Sequence, residues 1–112
     1  MRGWKRNMPD KYFVDIMALA EEDLEAIYVY YYKESQEAEV AAKVTGALKE
    51  SILGLKFMPK SHPMAREPRL RKEGVRKLIC GEYVVPFLID EDKKIVSVIR
   101  VFHGKMNYQK YL

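Results

Sequence analysis

The sequence predicts an α+β fold in which a helical hairpin packs on one face of a four-stranded sheet. Near the N-terminus, residues 11–17 place Tyr12, Val14 and Ile16 at every second position, the spacing of a half-buried strand. Two stretches with helical spacing follow, and three segments rich in β-branched and aromatic residues close the chain. The predicted order is therefore one strand, two helices and three strands.

Two helices are predicted from apolar residues spaced three or four positions apart. The first begins at Ala18 and carries acidic residues in its first turns, where the helix dipole favours them. Ser35 is expected to cap the second helix, because its hydroxyl can accept a hydrogen bond from a free backbone N–H. The apolar positions are Ala20, Leu24, Ile27 and Tyr31 in the first helix, and Ala41, Val44, Leu48, Ile52 and Leu55 in the second. The short break between them predicts an antiparallel hairpin.

The C-terminal strands are predicted over residues 75–80, 82–90 and 94–103, joined by tight turns as an antiparallel meander. Pro86 lies inside the middle strand, where proline cannot donate a ladder hydrogen bond, and it predicts a bulge or an unpaired edge. Three further prolines predict that residues 58–72 form an extended basic connection rather than a helix.

Length and composition favour a single domain over residues 1–112, with residues 1–10 as a flexible N-terminal arm. The longest aromatic and aliphatic run, residues 26–32, is much shorter than the roughly 20 residues of a membrane span, so a cytoplasmic protein is expected. The one cysteine, Cys80, cannot form an internal disulfide, and no CxxC pair is present. No metal and no cofactor are predicted.

Charge is segregated along the chain, whose formal net charge is +4. Residues 18–40 hold seven acids against Lys33, whereas residues 60–77 hold seven basic residues. The basic residues are Lys60, Arg66, Arg69, Arg71, Lys72, Arg76 and Lys77. Such a surface can approach phosphates or an acidic peptide. The alternative is two solvated faces with no partner.

Five short segments, in a fixed order, resemble those of a known protein family. They are Ala-Glu-Glu-Asp-Leu-Glu-Ala-Ile-Tyr at 20–28, Leu-Lys-Phe-Met-Pro at 55–59, Gly-Val-Arg at 74–76, Gly-Glu-Tyr-Val-Val at 81–85 and Val-Ile-Arg-Val-Phe-His-Gly-Lys-Met-Asn at 98–107. The chain resembles the RelE/ParE superfamily of toxins from type II toxin–antitoxin systems over residues 12–112. Its His-Gly-Lys-Met-Asn ending is similar to the His-x-Arg-Met-Asp ending of ParE-like members, with Lys105 for Arg and Asn107 for Asp.

The resemblance implies a cytoplasmic growth inhibitor that a cognate antitoxin holds inactive. ParE-like members inhibit DNA gyrase, and this target is the favoured one. RelE-like members instead cleave mRNA on the ribosome without a metal. A third alternative is a family member that has lost its activity and serves only as a partner.

A nuclease would need a general acid or base and cations that stabilise the phosphate. The candidate catalytic residues for that case are His103, Arg76, Arg100, Lys105 and Tyr108. The candidate antitoxin- or target-binding residues are Arg66, Arg69, Arg71, Lys72, Arg76 and Lys77. Structural alternatives stay open: His103 can fasten the last strand to the tail, Arg76 can pair with Glu82, and Tyr83 can serve in packing.

Overall fold

A computed structural model describes residues 11–106 and 108–112, without the side chains of residues 108 and 109. The strands are β1 (Phe13–Ile16), β2 (Arg76–Cys80), β3 (Tyr83–Asp90), β4 (Ile95–Val98) and β5 (Phe102–His103), and the α-helices are α1 (Ala18–Ser35), α2 (Ala38–Leu53) and α3 (Pro68–Lys72). Single 3₁₀ turns lie at Gly54–Lys56, Pro59–Ser61 and Tyr108–Tyr111. Residues 1–10, predicted to be an arm, lie outside the described residues.

Within the described residues the strands follow the order β1-β4-β3-β2, and β5 pairs with β3 beyond the end of β4. The C-terminal strands form the predicted antiparallel meander, and β1 lies parallel to β4. Cys80 pairs with Tyr83, so the loop between β2 and β3 has two residues. Gly81 begins that loop with a φ of 58°, a conformation that a tight hairpin turn requires and glycine adopts without strain.

Pro86 faces a β-bulge, as the sequence predicted. On the β4 side, Phe87 pairs with Val98, whereas Val84 pairs with Phe102. Two residues of β3 therefore oppose three residues of the last strand, and the extra residue produces a β-bulge. The bulge interrupts the strand predicted over 94–103. That strand therefore forms as two short strands, β4 and β5.

The sheet separates two apolar clusters. One face packs against α1 and α2 through a core that includes Leu24, Ile52, Val85, Phe87 and Val98. The other face is covered by the connection, by α3 and by the C-terminal turn, with Ala65, Leu70, Val75, Val84 and Phe102 as its buried residues. The prediction that a helical hairpin packs on one face of the sheet is confirmed. The connection adds a smaller core on the opposite face.

Two local predictions are wrong. Ser35 does not cap α2 but ends α1, where its hydroxyl donates to the carbonyl of Tyr31 at 2.7 Å and accepts from the N–H of Glu37 at 3.1 Å. Residues 58–72 are not extended throughout, because the 3₁₀ turn and α3 both begin at a proline. Proline is favoured at the first position of a helix, where its missing N–H costs nothing.

Candidate functional site

Arg100 is held against α1 by Asp23. Its Nε donates to Oδ2 at 2.7 Å and its Nη2 to Oδ1 at 2.9 Å, while the guanidinium carbon lies 4.7 Å from the ring centre of Phe102. The hydrogen bonds from Arg100 to Asp23 raise the pKa of the guanidinium further above its ordinary value. Both side chains are only about one-fifth exposed, at 21% and 17%. Arg100 is therefore engaged inside the fold, in a bidentate pair of the strong, directional kind.

Arg76 fastens the connection to the sheet. Its Nη1 donates to the carbonyl of His62 at 2.8 Å and to that of Lys60 at 3.2 Å. Backbone bonds support this junction, since the N–H of Lys77 donates to the carbonyl of Pro63 at 3.0 Å. The sequence also allowed Arg76 to form an ion pair with Glu82. In the structure its guanidinium binds these two carbonyls instead.

His103 ends β5 at the start of the C-terminal tail. Its Nδ1 accepts a hydrogen bond from the backbone N–H of Lys105 at 3.2 Å, and its carbonyl accepts one from the N–H of Met106 at 2.9 Å. Nε2 lies 3.7 Å from Oε1 of Glu82. Because Nδ1 acts as an acceptor, a neutral His103 carries its proton on Nε2. These bonds match the structural alternative in which His103 fastens the last strand to the tail.

Tyr83 links His103 to the helical hairpin. Its ring meets that of His103 edge to face, with 5.5 Å between the centres, and its hydroxyl donates to the hydroxyl of Tyr31 at 3.4 Å. Burial, followed by the hydrogen bond with Tyr31, raises the pKa of Tyr83 well above its usual range. The packing role predicted for this residue agrees with these contacts.

The residues proposed for nuclease chemistry do not converge. Arg76 pairs with Phe87 and His103 pairs with Tyr83, so they lie four positions apart along β3. At about 3.3 Å per residue this is roughly 13 Å along the strand. The guanidinium of Arg76 is moreover already bound to the carbonyls of Lys60 and His62. Lys105 is exposed beside His103. The side chain of Tyr108 lies outside the described residues.

A basic surface lies on α3 and the residue stretch before it. It consists of Arg66, Arg69, Arg71 and Lys72, all of them exposed. Arg69 is partly engaged, since its Nη1 donates to the backbone oxygen of Leu112 at 3.2 Å and lies 3.7 Å from Glu73. Lys77, the last of the six proposed binding residues, is half-buried on β2.

An apolar groove borders this basic surface. It has a volume of about 480 Å³. Its apolar lining comes from Leu70, Val75, Leu88, Ile99, Tyr111 and Leu112. A second groove, of about 430 Å³, lies between α2 and the β2–β3 turn and is lined by Val44, Ala47 and Cys80 among others. Grooves lined by apolar side chains and bordered by charge suit amphipathic peptide segments.

Three positioning residues are not predicted by the sequence. From the sequence, Asp23 is expected only as one of the acids that interact favourably with the dipole of α1. In the structure it binds Arg100 and also accepts a hydrogen bond from the N–H of Val101 at 2.8 Å. His62 packs edge to face on Phe87, with ring centres 6.0 Å apart. A Cβ at Gly104 would lie 3.1 Å from the carbonyl oxygen of Glu82. Each depends on contacts between distant segments, so no local pattern signals it.

Metal-binding clusters and membrane-spanning helices are both missing from the described part of the chain. Its residues include no group of three or more His, Cys, Asp or Glu side chains placed to hold a metal ion. None of its helices combines the length and hydropathy that a membrane span requires.

Solved structures share this fold. The chromosomal ParDE toxin–antitoxin system from P. aeruginosa matches with a TM-score of 0.71 and 21% identity, over 85% of this chain and 98% of that one. The toxin–antitoxin complex RelBE2 from Mycobacterium tuberculosis matches with a TM-score of 0.63 and 21% identity, over 84% and 92% of the two chains. A mutant of E. coli RelE in the free state matches with a TM-score of 0.57 and 14% identity, over 90% and 92%. The fold is therefore that of the RelE/ParE-like toxins, as the sequence predicted.

The sequence of the chain shows the family to which the protein belongs. The family described as "ParE toxin of type II toxin-antitoxin system, parDE" matches residues 14–108. Among curated proteins, none matches this chain. Because the family match covers most of the chain, this protein belongs to the ParE toxin family and is the toxin of a type II toxin–antitoxin pair. The prediction of a RelE/ParE superfamily toxin that is closest to the ParE-like members is confirmed.

Proposed function

We propose that the protein is a cytoplasmic inhibitor of DNA gyrase that acts by binding and is neutralised by its cognate antitoxin. The observation that carries this proposal is the ParE family match over residues 14–108. The contacts of the arginines support it. Arg100 is paired with Asp23, and Arg76 is bound to the carbonyls of Lys60 and His62. Neither cation is placed beside His103 to stabilise a phosphate during RNA cleavage.

The test uses gyrase and the ribosome as separate readouts. Purified protein should abolish supercoiling by gyrase in vitro, and growth arrest on expression should follow loss of replication. Primer extension on translated mRNA should find no cuts at codon positions. Normal supercoiling at saturating protein would refute the proposal. Codon-position cuts that disappear in His103→Ala would favour the RelE-like alternative, and vigorous growth on strong expression would favour an inactive member.

For the antitoxin we propose a segment that combines apolar residues with Asp or Glu. The 480 Å³ groove has one acidic lining residue, Glu73, and lies beside the exposed cations on α3 and before it. The apolar residues would fill the groove, while the carboxylates face Arg66 and Arg71, on the side away from Glu73's own charge. Complementary charges across such a surface raise the association rate and fix the orientation of the segment. Membership of a toxin–antitoxin family supports a protein partner for this surface.

Charge reversal tests this surface. Arg66→Glu with Arg71→Glu should weaken the complex with the antitoxin encoded beside the toxin, by about tenfold or more, in a calorimetric titration. Lys33→Glu, near the C-terminal end of α1, is the matched control and should have little effect. Arg76 is unsuitable for this test because it supports the fold. Unchanged affinity in the double variant would remove the electrostatic argument.

A further inference from the structure

The outer edge of β1 offers unpaired backbone groups. The N–H of Phe13 donates to the carbonyl of Lys94 at 2.8 Å, and that of Met17 donates to the carbonyl of Val98 at 3.0 Å. Successive residues of a strand direct their backbone groups to alternate sides. Val14 and Ile16 therefore direct their N–H and C=O groups away from β4. Among residues 11–106 and 108–112, no strand pairs with them on that side.

The chain itself closes only the beginning of this edge. The N–H of Tyr12 donates to the carbonyl of Lys56 at 2.9 Å, and Lys11 forms an isolated antiparallel bridge with Phe57. Beyond that bridge the described residues leave the edge open for the length of β1. An edge with free donors and acceptors is a template for another strand.

The side chains along the open edge have a definite pattern. Phe13 is 68% exposed and Met17 is 46% exposed, and the exposed Asp15 lies between them on the same side of β1. The second apolar cluster does not extend to these residues. This side of the open edge therefore combines two exposed apolar side chains with a single negative charge between them.

A second copy of this chain does not fit the pattern. If two β1 edges paired about a two-fold axis, only the register that joins Val14 to Ile16 would use all four outward backbone groups of each strand. That register puts Asp15 directly opposite Asp15 of the other copy. Like charges directly opposite each other destabilise a strand pair. The carboxylate thus disfavours self-association and favours a cation in a different chain.

We infer that the β1 edge binds an extended segment of another protein with the pattern apolar, any, basic, any, apolar. Its backbone bonds to Val14 and Ile16 and continues the sheet beyond β1. Its two apolar residues cover Phe13 and Met17, and its Lys or Arg faces Asp15. This surface is distinct from the basic surface of α3, and its partner segment has the opposite charge to the antitoxin segment proposed above. The inference does not depend on gyrase being the target.

Two synthetic strands test the inference on the full chain. The probes are acetyl-Thr-Val-Thr-Lys-Thr-Val-Thr-amide and the same peptide with Glu in place of Lys. In ¹⁵N-labelled protein, the largest chemical-shift changes on titration should occur at the amides of Val14 and Ile16, and their hydrogen exchange should slow. A cross-strand charge pair between Asp15 and the lysine of the probe should make the Lys peptide bind about threefold more tightly than the Glu peptide.

Charge-reversal variants at single positions make the test specific. Asp15→Lys should invert the preference between the peptides, whereas Asp92→Lys, at an exposed position of the β3–β4 turn, should leave it unchanged. The inference is overturned if the shifts occur elsewhere, if the Glu peptide binds as tightly, or if sedimentation velocity finds a dimer that Asp15→Lys disrupts. It is also overturned if the peptides bind only after Arg2, Lys5 and Arg6 are replaced by Glu, because the chain's own N-terminus would then occupy the edge.

Discussion

Arg100 and Asp23 form two parallel hydrogen bonds that join the last part of the sheet to the first turns of α1, across 77 residues of sequence. The same carboxylate accepts the N–H of Val101 at 2.8 Å. Both residues that face Asp23 lie in the three-residue stretch of the bulge opposite Pro86. Asp23 therefore satisfies a backbone donor that the bulge removes from the strand ladder, and it neutralises a partly buried cation.

We expect Asp23→Ala to lower the free energy of unfolding by about 2 to 3 kcal/mol, because it leaves a cation and a backbone N–H without an acceptor. Asp23→Asn should cost less, since an amide oxygen can still accept from Val101. Denaturation in urea measures both values. Glu22→Ala, at the neighbouring exposed position, is the control and should stay within about 0.5 kcal/mol of wild type. An equally small effect of Asp23→Ala would contradict the assigned role.

Much of the fold can be predicted because the relevant signals are local. Period-two and helical spacing locate β1, both long helices and the meander, and Pro86 indicates the bulge. The α3 helix is not predicted when proline is interpreted only as a helix breaker, although proline also begins helices. Ser35 has the chemistry of a helix cap, but αL geometry at Gln36, with a φ of 59°, ends α1 there and delays the start of α2.

The site is less predictable than the fold. Arg76 and Arg100 have the chemistry that binds phosphate, and nothing in their neighbouring sequence reveals that carbonyls and a carboxylate already occupy them. Those partners lie 14 and 77 residues away. Residue type therefore predicts a capacity to bind anions, whereas tertiary contacts determine whether that capacity is free.

Arg76 should control how firmly the connection is held. Arg76→Ala removes the hydrogen bonds to the carbonyls of Lys60 and His62, so the segment around Lys60 should open more often. Trypsin should then cut after Lys60 at least about tenfold faster in the folded protein. Arg71→Ala, on the exposed side of α3, should leave the rate of that cut unchanged. Equal rates for wild type and Arg76→Ala would mean that other contacts hold the connection.

Tyr83 should make stability sensitive to alkaline pH. Burial raises its pKa in the folded protein, whereas in the unfolded chain it titrates at about pH 10. The folded state therefore binds the proton more tightly. Its contribution to stability is complete below about pH 10 and is lost progressively as the pH rises above that value. Urea denaturation at a series of alkaline pH values should show a steeper loss for wild type than for Tyr83→Phe.

The control for this titration is Tyr32→Phe, at an exposed position of α1, which should keep the steep loss of wild type. Absorbance of tyrosinate offers a second measurement, in which the folded Tyr83→Phe protein should lack the ionisation step that occurs at the highest pH. Identical pH profiles for wild type and Tyr83→Phe would contradict the proposed burial effect.

Two glycine-to-alanine substitutions should have opposite effects on stability. The N–H of Gly104 donates to the carbonyl of Glu82 at 2.6 Å, and a Cβ there would lie 3.1 Å from the same oxygen. With Gly104→Ala the carbonyl of Glu82 or the turn that carries His103 has to shift by a few tenths of an ångström. Because this carbonyl is backbone and already accepts the N–H of residue 104, we expect a loss of about 1 kcal/mol. By contrast, a methyl group added at Gly46 in α2 would meet no atom of another segment within 4 Å. Gly46→Ala should add about 0.5 to 1 kcal/mol, because alanine has the higher helix propensity. Urea denaturation compares the two directly, and a gain in stability from Gly104→Ala would show that the turn accommodates a side chain without strain.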